Sequence, residues 1–284
     1  MDNQSYINYN GKLFLETENI FSVNNRAFKY GDAIFETIRI IDGKLLFLDD
    51  HFMRLKNGMD FLRFKNCEIS FKTIAEQMVA LLTKNKISKG GRLRITLFRD
   101  AEGFYTPINE KCGYVIEVKA IETNQYVINN EGLTVDLYTL HHRSTSKLSN
   151  IKTTNDIPQI LAGLYSKEHN LDDCIILNKH NRIAETTNSN IFLYKKNNIY
   201  TPSLDEGCMD GVMRKQILKI AAQQKINIFE GMINANLLLQ TDEIFLTNVV
   251  RGVQWVKTFK EKTYTNEAAD MFVDELNKLV VSDK

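Results

Sequence analysis

Gly211-Val212-Met213-Arg214 opens a stretch of helical pattern directly after a turn holding Glu206-Gly207 and Asp210-Gly211. The first amides of a helix have no partner inside it, so a helix that starts on a residue without a side chain suits an anion. Most helix starts bind nothing, and alone this is a weak signal. Arg54, in Asp50-His51-Phe52-Met53-Arg54-Leu55, lies beside the apolar face of another helical pattern. Either it snorkels to solvent or it offers an anion a planar fork of donors. Glu185 follows Arg182-Ile183-Ala184 and precedes Thr186-Thr187-Asn188-Ser189-Asn190. It reads equally as a turn acid and as a carboxylate held ionised among small polar groups. Lys152, in Leu148-Ser149-Asn150-Ile151-Lys152-Thr153-Thr154-Asn155, is an amine that means nothing without company, and Lys147 is its rival. His141 and His142 have acid–base chemistry, but a loop position facing solvent is the plainer reading.

The elements that must position these groups are readable. A β-rich run over 32–41, an Asp42-Gly43 turn and Lys44–Leu48 predict a hairpin. Asp49 or Asp50 is expected to cap the next element, in which Phe52, Leu55, Met59 and Leu62 recur at helical spacing. A helix over 71–84 and strands at 92–98 and 114–120 follow. Further on, the pattern predicts helices at 155–168, 211–224 and 267–281. Strands are expected at 173–177, 182–184, 191–194, 198–200, 226–229 and 243–247. Two α/β or α+β lobes joined around 121–135 result.

Composition narrows the partners. Formal charge is +1 from 36 basic and 35 acidic residues, so nothing in bulk electrostatics draws the chain to nucleic acid or anionic lipid. A small molecule is the expected partner. The cysteines, Cys67, Cys112, Cys174 and Cys208, lack metal-like spacing and are expected to be reduced thiols, with no metal site. Met1-Asp2-Asn3-Gln4 opens polar, unlike a signal peptide, and no apolar run approaches the ~20 residues of a membrane span. The expected compartment is the cytoplasm.

The order of motifs resembles the class-IV pyridoxal-phosphate aminotransferases, the group of branched-chain aminotransferases, D-amino-acid aminotransferases and 4-amino-4-deoxychorismate lyases. The resemblance runs through Asn25-Arg26-Ala27-Phe28-Lys29-Tyr30-Gly31-Asp32, Phe35-Glu36-Thr37-Ile38-Arg39 and His51-Phe52-Met53-Arg54-Leu55. The lysine segment comes next, then Ala184-Glu185-Thr186 with Ser189-Asn190-Ile191-Phe192. Gly211-Val212-Met213-Arg214 and Asp242-Glu243-Ile244-Phe245-Leu246-Thr247-Asn248 complete it. Together these cover about residues 20–260 in the family's order.

The resemblance implies the fold-type IV architecture of D-amino-acid aminotransferase-like enzymes, α/β and α+β. A smaller N-terminal lobe, 1–120, and a larger cofactor-binding lobe, 136–284, would be joined by 121–135, with pyridoxal 5'-phosphate in the interlobe cleft. By the same resemblance Lys152 is the Schiff-base lysine and the catalytic residue, and Glu185 partners the pyridine nitrogen. Arg54, the amides of Val212 and Met213, and Asn248 with the Val249 amide would hold the phosphate. Phe35, Arg99 and Tyr105 would lie near the substrate. Lys152 must act as a neutral amine to move the α-proton, so its pKa is expected to be depressed. Relatives are homodimers whose active sites borrow a loop from the neighbour, so at least a dimer is implied.

Transaminases of the family usually carry a threonine two residues after the Thr247 position, where its hydroxyl helps hold the phosphate; here Val249 stands there. Branched-chain enzymes carry a tyrosine five residues after the lysine, and this chain has Ile157. The Thr247–Val253 stretch and the Phe-Glu-Thr-Ile-Arg start look closer to the aminodeoxychorismate lyases, which expel pyruvate and leave 4-aminobenzoate. The lyase is the favoured expectation; an amino-acid transaminase using 2-oxoglutarate, branched-chain or D-specific, is the alternative. A protein that binds the cofactor without turnover would be expected to lose the lysine first.

Overall fold

The structure, a computed structural model, describes residues 4–65, 67 and 69–282; the Met1-Asp2-Asn3 opening lies outside them. The chain divides into two units, one running to Gln125 and including Lys152–Asn155, the other made of Tyr126–Ile151 and the residues from Asp156 onward.

The first unit is an antiparallel sheet with helices. In chain order its elements are β1 (Tyr6–Tyr9), β2 (Lys12–Leu15), α1 (Arg26–Tyr30), β3 (Ala33–Ile41), β4 (Lys44–Leu45), α2 (Leu48–Phe61), α3 (Phe71–Lys84), β5 (Gly91–Arg99) and β6 (Cys112–Ala120). The sheet order is β2-β1-β6-β5-β3-β4. The β3–β4 hairpin turns on Asp42 and Gly43 at φ 51° and 69°, two consecutive left-handed residues of the kind that match strand twist. Asp49 and Asp50 fall in the first turn of α2, where they favour its dipole; the capping position itself is Phe47, with no side-chain cap. The apolar stripe of α3, Ile74, Met78 and Leu81, packs on Ile38, Leu93, Ile95 and Ile116 of the sheet.

The second unit holds β7 (Leu133–Arg143), α4 (Ile157–Glu168), β8 (Asp173–Asn178), β9 (Ile183–Thr186), β10 (Asn190–Lys195), β11 (Asn198–Pro202), α5 (Val212–Gln223), β12 (Asn227–Gly231), β13 (Glu243–Asn248), β14 (Gly252–Phe259), β15 (Lys262–Thr263) and α6 (Glu267–Ser282). Its sheet runs β12-β11-β10-β13-β14-β7-β8-β9, with β15 beside β14. Alternation along β13 explains its two buried faces. Ile244 and Leu246 join the core of Ile175, Ile183, Ile191, Leu193 and Val256, while Phe245 stacks on Phe192 at 5.2 Å and meets Phe272 of α6. Glu243, also buried, accepts from the Ala268 and Ala269 amides and so caps α6.

Further expectations change. Cys67 and Cys112 are joined as a disulfide with Cα atoms 5.4 Å apart, and only Cys174 and Cys208 are free. The register pairs Cys112 with Arg99, whose guanidinium donates to the Leu62 and Arg63 carbonyls. That pull brings the segment after α2 to the start of β6. β1, β2, β7, β14 and β15 were not expected as strands, nor α1 as a helix. Among the described residues, no helix is long and apolar enough to cross a membrane and no His/Cys/Asp/Glu cluster suits a metal ion.

Candidate active site

Lys152 enters the first unit as part of a short strand-like segment. Its carbonyl accepts from the Phe35 amide at 2.9 Å, Thr153 bridges Ile34, and the Thr154 amide donates to Ala33 at 3.0 Å. This pairing along the edge of β3 fixes the lysine backbone beside Phe35. The half-buried side chain brings Nζ to 4.3 Å from the centre of the buried Phe35 ring, and Arg94 lies against the same ring at 3.6 Å. Lys147, by contrast, is exposed.

Next along β3, Glu36 points to the opposite side of the sheet from Phe35. It accepts from Arg54 Nε at 2.7 Å and Nη2 at 2.6 Å, a two-point clasp that fixes the guanidinium plane, and from His51 Nδ1 at 2.7 Å. Burial alone would raise the Glu36 carboxyl. The Arg54 charge and hydrogen bonds, with those of His51, outweigh it and hold Glu36 down at about 2. His51 is pushed below its ordinary value, chiefly by burial, with Glu36 opposing. A neutral ring then donates from Nδ1 to Glu36.

Arg99 is buried, and all three guanidinium nitrogens donate within the unit: Nε to Asp32, Nη1 to the Arg63 carbonyl and Nη2 to the Leu62 carbonyl. A substrate contact would have to use the N–H groups that these three bonds leave over. Arg26 shares Asp32 and donates to the carbonyls of Gly103, Phe104 and Tyr105, so it pins the 103–105 loop. Tyr105 itself is 89% exposed, its ring against Tyr30 at 5.6 Å.

In the second unit Glu185, 4% exposed, has both oxygens engaged. Oε1 meets Arg143 Nε at 3.0 Å and accepts from Gln159 Nε2 at 3.3 Å; Oε2 accepts from the Met209 amide at 2.7 Å. Every one of these donors favours the ionised carboxylate. Arg143 also donates to the Gly207 and Ser149 carbonyls, which locks it in place.

Met209 leads into α5. Gly211 is the N-cap residue of that helix and supplies no side-chain cap, so the amides of Val212 and Met213 lack helical acceptors. A Cβ at Gly211 would run into Asn190 Oδ1, whose amide nitrogen donates to the Met209 carbonyl at 2.9 Å. Thr247 lies opposite Asn190 across the β10–β13 pair; its hydroxyl is buried with no partner among the described residues. Asn248 Oδ1 accepts from the Val250 and Arg251 amides and closes the turn after β13. The Val249 carbonyl accepts from Tyr126 Oη at 3.0 Å. Open amides, a glycine that bare space requires and a buried hydroxyl without a partner fit a phosphate monoester. His141 and His142 are exposed as expected, but lie on β7 rather than in a loop, with His142 3.1 Å from Asn181.

Sequence reading missed Arg143, Gln159, Asn190, Arg26 and the Glu36–His51 pair. Arg143 ends the polar His141-His142-Arg143 run, which gives no local sign of a buried partner. Glu36 is different, because a lone acid between Phe35 and Thr37 in an otherwise buried strand is a visible anomaly.

The family description for class IV amino-transferases matches residues 33–259. The chain is 27% identical over 268 residues to an aminodeoxychorismate lyase of Bacillus subtilis (strain 168), covering 92% of this chain and 89% of that protein. A D-alanine aminotransferase of Bacillus licheniformis is 25% identical over 256 residues, 86% of this chain and 85% of that one. The crystal structure of a branched-chain amino acid aminotransferase from Thermobaculum terrenum, in its PLP-bound holo form, superposes with a TM-score of 0.87 at 16% identity. It covers 100% of this chain and 96% of that one. The chain therefore belongs to the class IV aminotransferase family of pyridoxal-phosphate enzymes.

Proposed function

We propose that this enzyme acts at the α-carbon of an amino-acid-like substrate, and that its reaction is loss of pyruvate from 4-amino-4-deoxychorismate to leave 4-aminobenzoate. Lys152 is the residue we assign to carry the cofactor covalently through its amine and then to move the α-proton. The observation that carries the assignment is its placement: Lys152 is drawn in over the buried Phe35 ring, whereas Lys147 is exposed. When bound, the cofactor supplies an electron-withdrawing ring that eases removal of that proton. Glu185, held by Arg143, Gln159 and the Met209 amide, would be the residue that partners the ring nitrogen and keeps its proton in place. The amides of Val212, Met213 and Val249, with the Asn248 backbone and with Arg54 oriented by Glu36, bind the phosphate. Phe35 and Tyr105 are retained as substrate neighbours. Arg99 is retained with them, through the N–H groups that its bonds to Asp32, Arg63 and Leu62 leave over.

The lean to the lyase is supported by Val249, which brings no hydroxyl to the phosphate where transaminases usually bring one, and by the near full-length match to the Bacillus subtilis relative. Transamination with 2-oxoglutarate is the second reading, supported by the D-alanine aminotransferase relative. Borohydride reduction of the holoenzyme followed by peptide mapping tests the attachment. A reduced cofactor on the Lys152 peptide is expected, and its appearance on Lys147 alone would remove the assignment. A panel of 4-amino-4-deoxychorismate against branched-chain and D-amino acids with 2-oxoglutarate tests the reaction; turnover only with the keto acid defeats the lyase.

We further infer a cytoplasmic homodimer. The exposed apolar side chains Phe28, Phe104, Tyr105 and Ile108 in the first unit support self-association. Light scattering that gives a monomer mass at micromolar concentration argues it away.

A further inference from the structure

Thr247 poses a problem that the family resemblance does not solve. Its side chain is 1% exposed, and Oγ1 has no hydrogen-bond partner among the described residues. A hydroxyl taken out of water without a partner loses the full value of its hydration, and buried polar groups in native proteins are overwhelmingly paired.

The sheet register shows where this hydroxyl belongs. Thr247 on β13 lies directly opposite Asn190 on β10, and directly opposed residues in an antiparallel pair put their side chains on the same face. The stacked pair Phe192 and Phe245 lies on that face too, two residues further along each strand. The Asn190 side chain reaches from this face to the turn before α5: its amide nitrogen holds the Met209 carbonyl, and its Oδ1 abuts the bare Cα of Gly211. The partnerless hydroxyl and the uncapped amides of a 12-residue helix therefore belong to one corner of the unit. Neighbouring side chains do not compete for it. Asn248, one residue on, faces the other way and is satisfied by Asn188 and Ser189, while Val249 offers only backbone.

We propose that Thr247 Oγ1 donates a hydrogen bond to the phosphate monoester held at the N-terminus of α5, standing in for the side-chain oxygen that Val249 lacks. The inference rests on the proposed cofactor site and assigns to it a residue that the resemblance left out. A phosphomonoester dianion is the ligand class, because the corner joins an uncapped helix start to a buried hydroxyl without a partner among the described residues. The donation is selective for phosphate: pyridoxal, which lacks the group, gains nothing from it.

The test uses full-length protein stripped of cofactor and titrated with pyridoxal 5'-phosphate, pyridoxal and inorganic phosphate by fluorescence or calorimetry. Thr247→Val keeps shape and removes the hydroxyl; Thr247→Ser keeps the hydroxyl. The expected result is a Kd for pyridoxal 5'-phosphate raised about 10-fold in Thr247→Val, the scale of one hydrogen bond to a charged acceptor. Pyridoxal affinity stays within about 2-fold, inorganic phosphate competes less well, and Thr247→Ser keeps the wild-type ratio. Melting of the stripped variant is expected at or above the wild-type temperature, since removing a buried hydroxyl without a partner destabilises nothing. Should Thr247→Val not fold, Thr247→Ala read against Thr247→Ser makes the same comparison. An unchanged ratio of the two pyridoxal affinities in the variant overturns the role of Thr247 and leaves the cofactor assignment standing. Failure of the wild-type protein to take up pyridoxal 5'-phosphate at all overturns both.

Discussion

Arg143 Nε lies 3.0 Å from Glu185 Oε1, and the same guanidinium donates 2.7 Å to the Ser149 carbonyl. A single arginine thus ties the carboxylate assigned to the ring nitrogen to the backbone leading into the lysine segment. Arg143→Met, which keeps the stem and removes the donors, is expected to lower kcat roughly 10- to 100-fold, the scale for losing an outer partner that orients a site residue. The bound cofactor's absorbance should also begin to titrate within the neutral range. Arg143→Lys should recover part of the rate by restoring charge without the fork. A wild-type pH profile in Arg143→Met, with the rate intact, shows that Met209 and Gln159 alone suffice.

How far this site could be read in advance depended on the distance over which each residue is decided. The helices α2, α3, α5 and α6 announce themselves by apolar spacing, and the β3–β4 turn by Asp42-Gly43, because short-range sterics and one buried face determine them. β7 and β14 do not. The second half of β7 is polar and exposed, and the two strands pair in parallel over a long loop of chain, so nothing local marks them. The site divides likewise. Lys152, Glu185 and Gly211 are proposed from the order of motifs along the chain. Their supports do not, since Gln159 and Met209 reach Glu185 from 26 and 24 residues away and only the folded sheet brings them there.

Glu36 makes stability depend on acid. Its folded pKa, about 2, lies below the ordinary 4.5, so the unfolded chain binds its proton more readily and the clasp's contribution is complete above pH 4.5. It is lost as pH falls from there toward 2. His51, shifted downward, acts in the same direction, because the unfolded histidine takes up its proton first as pH drops through 6.5. The midpoint of urea unfolding should therefore fall on going from pH 7 to pH 4. Glu36→Gln should unfold earlier than wild type at pH 7, with the gap narrowing in acid as the unfolded wild-type chain takes up its Glu36 proton. An equal gap at both pH values means the carboxylate's charge plays no part.

The Cys67–Cys112 bond predicts a thiol count. Protein unfolded without reductant should show two reactive thiols, those of Cys174 and Cys208, and four after reduction. The crosslink spans 45 positions, a loop for which restriction of the unfolded chain is worth about 4 kcal/mol. Reduction is thus expected to lower the melting temperature by several degrees. Four thiols in protein taken directly from a reducing cytoplasm would mean the pair closes only outside it.

Gly211 offers a steric test of the α5 corner that needs no substrate. Its φ of −73° is open to any residue, so a substitution carries no backbone penalty; the obstacle is the side chain of Asn190. Gly211→Ala must push away an amide that is buried and already committed to the Met209 carbonyl, whose own amide holds Glu185. Overpacking of this kind costs about 1–3 kcal/mol. Because Met209 links the two sites, cofactor affinity should fall together with stability. Asn190→Ala in the same chain frees the space, so the double variant is expected to regain stability relative to Gly211→Ala alone, a non-additivity that two contacting residues show and two independent ones do not. Additive losses would mean that the crowding at Asn190 is not what holds position 211 to glycine.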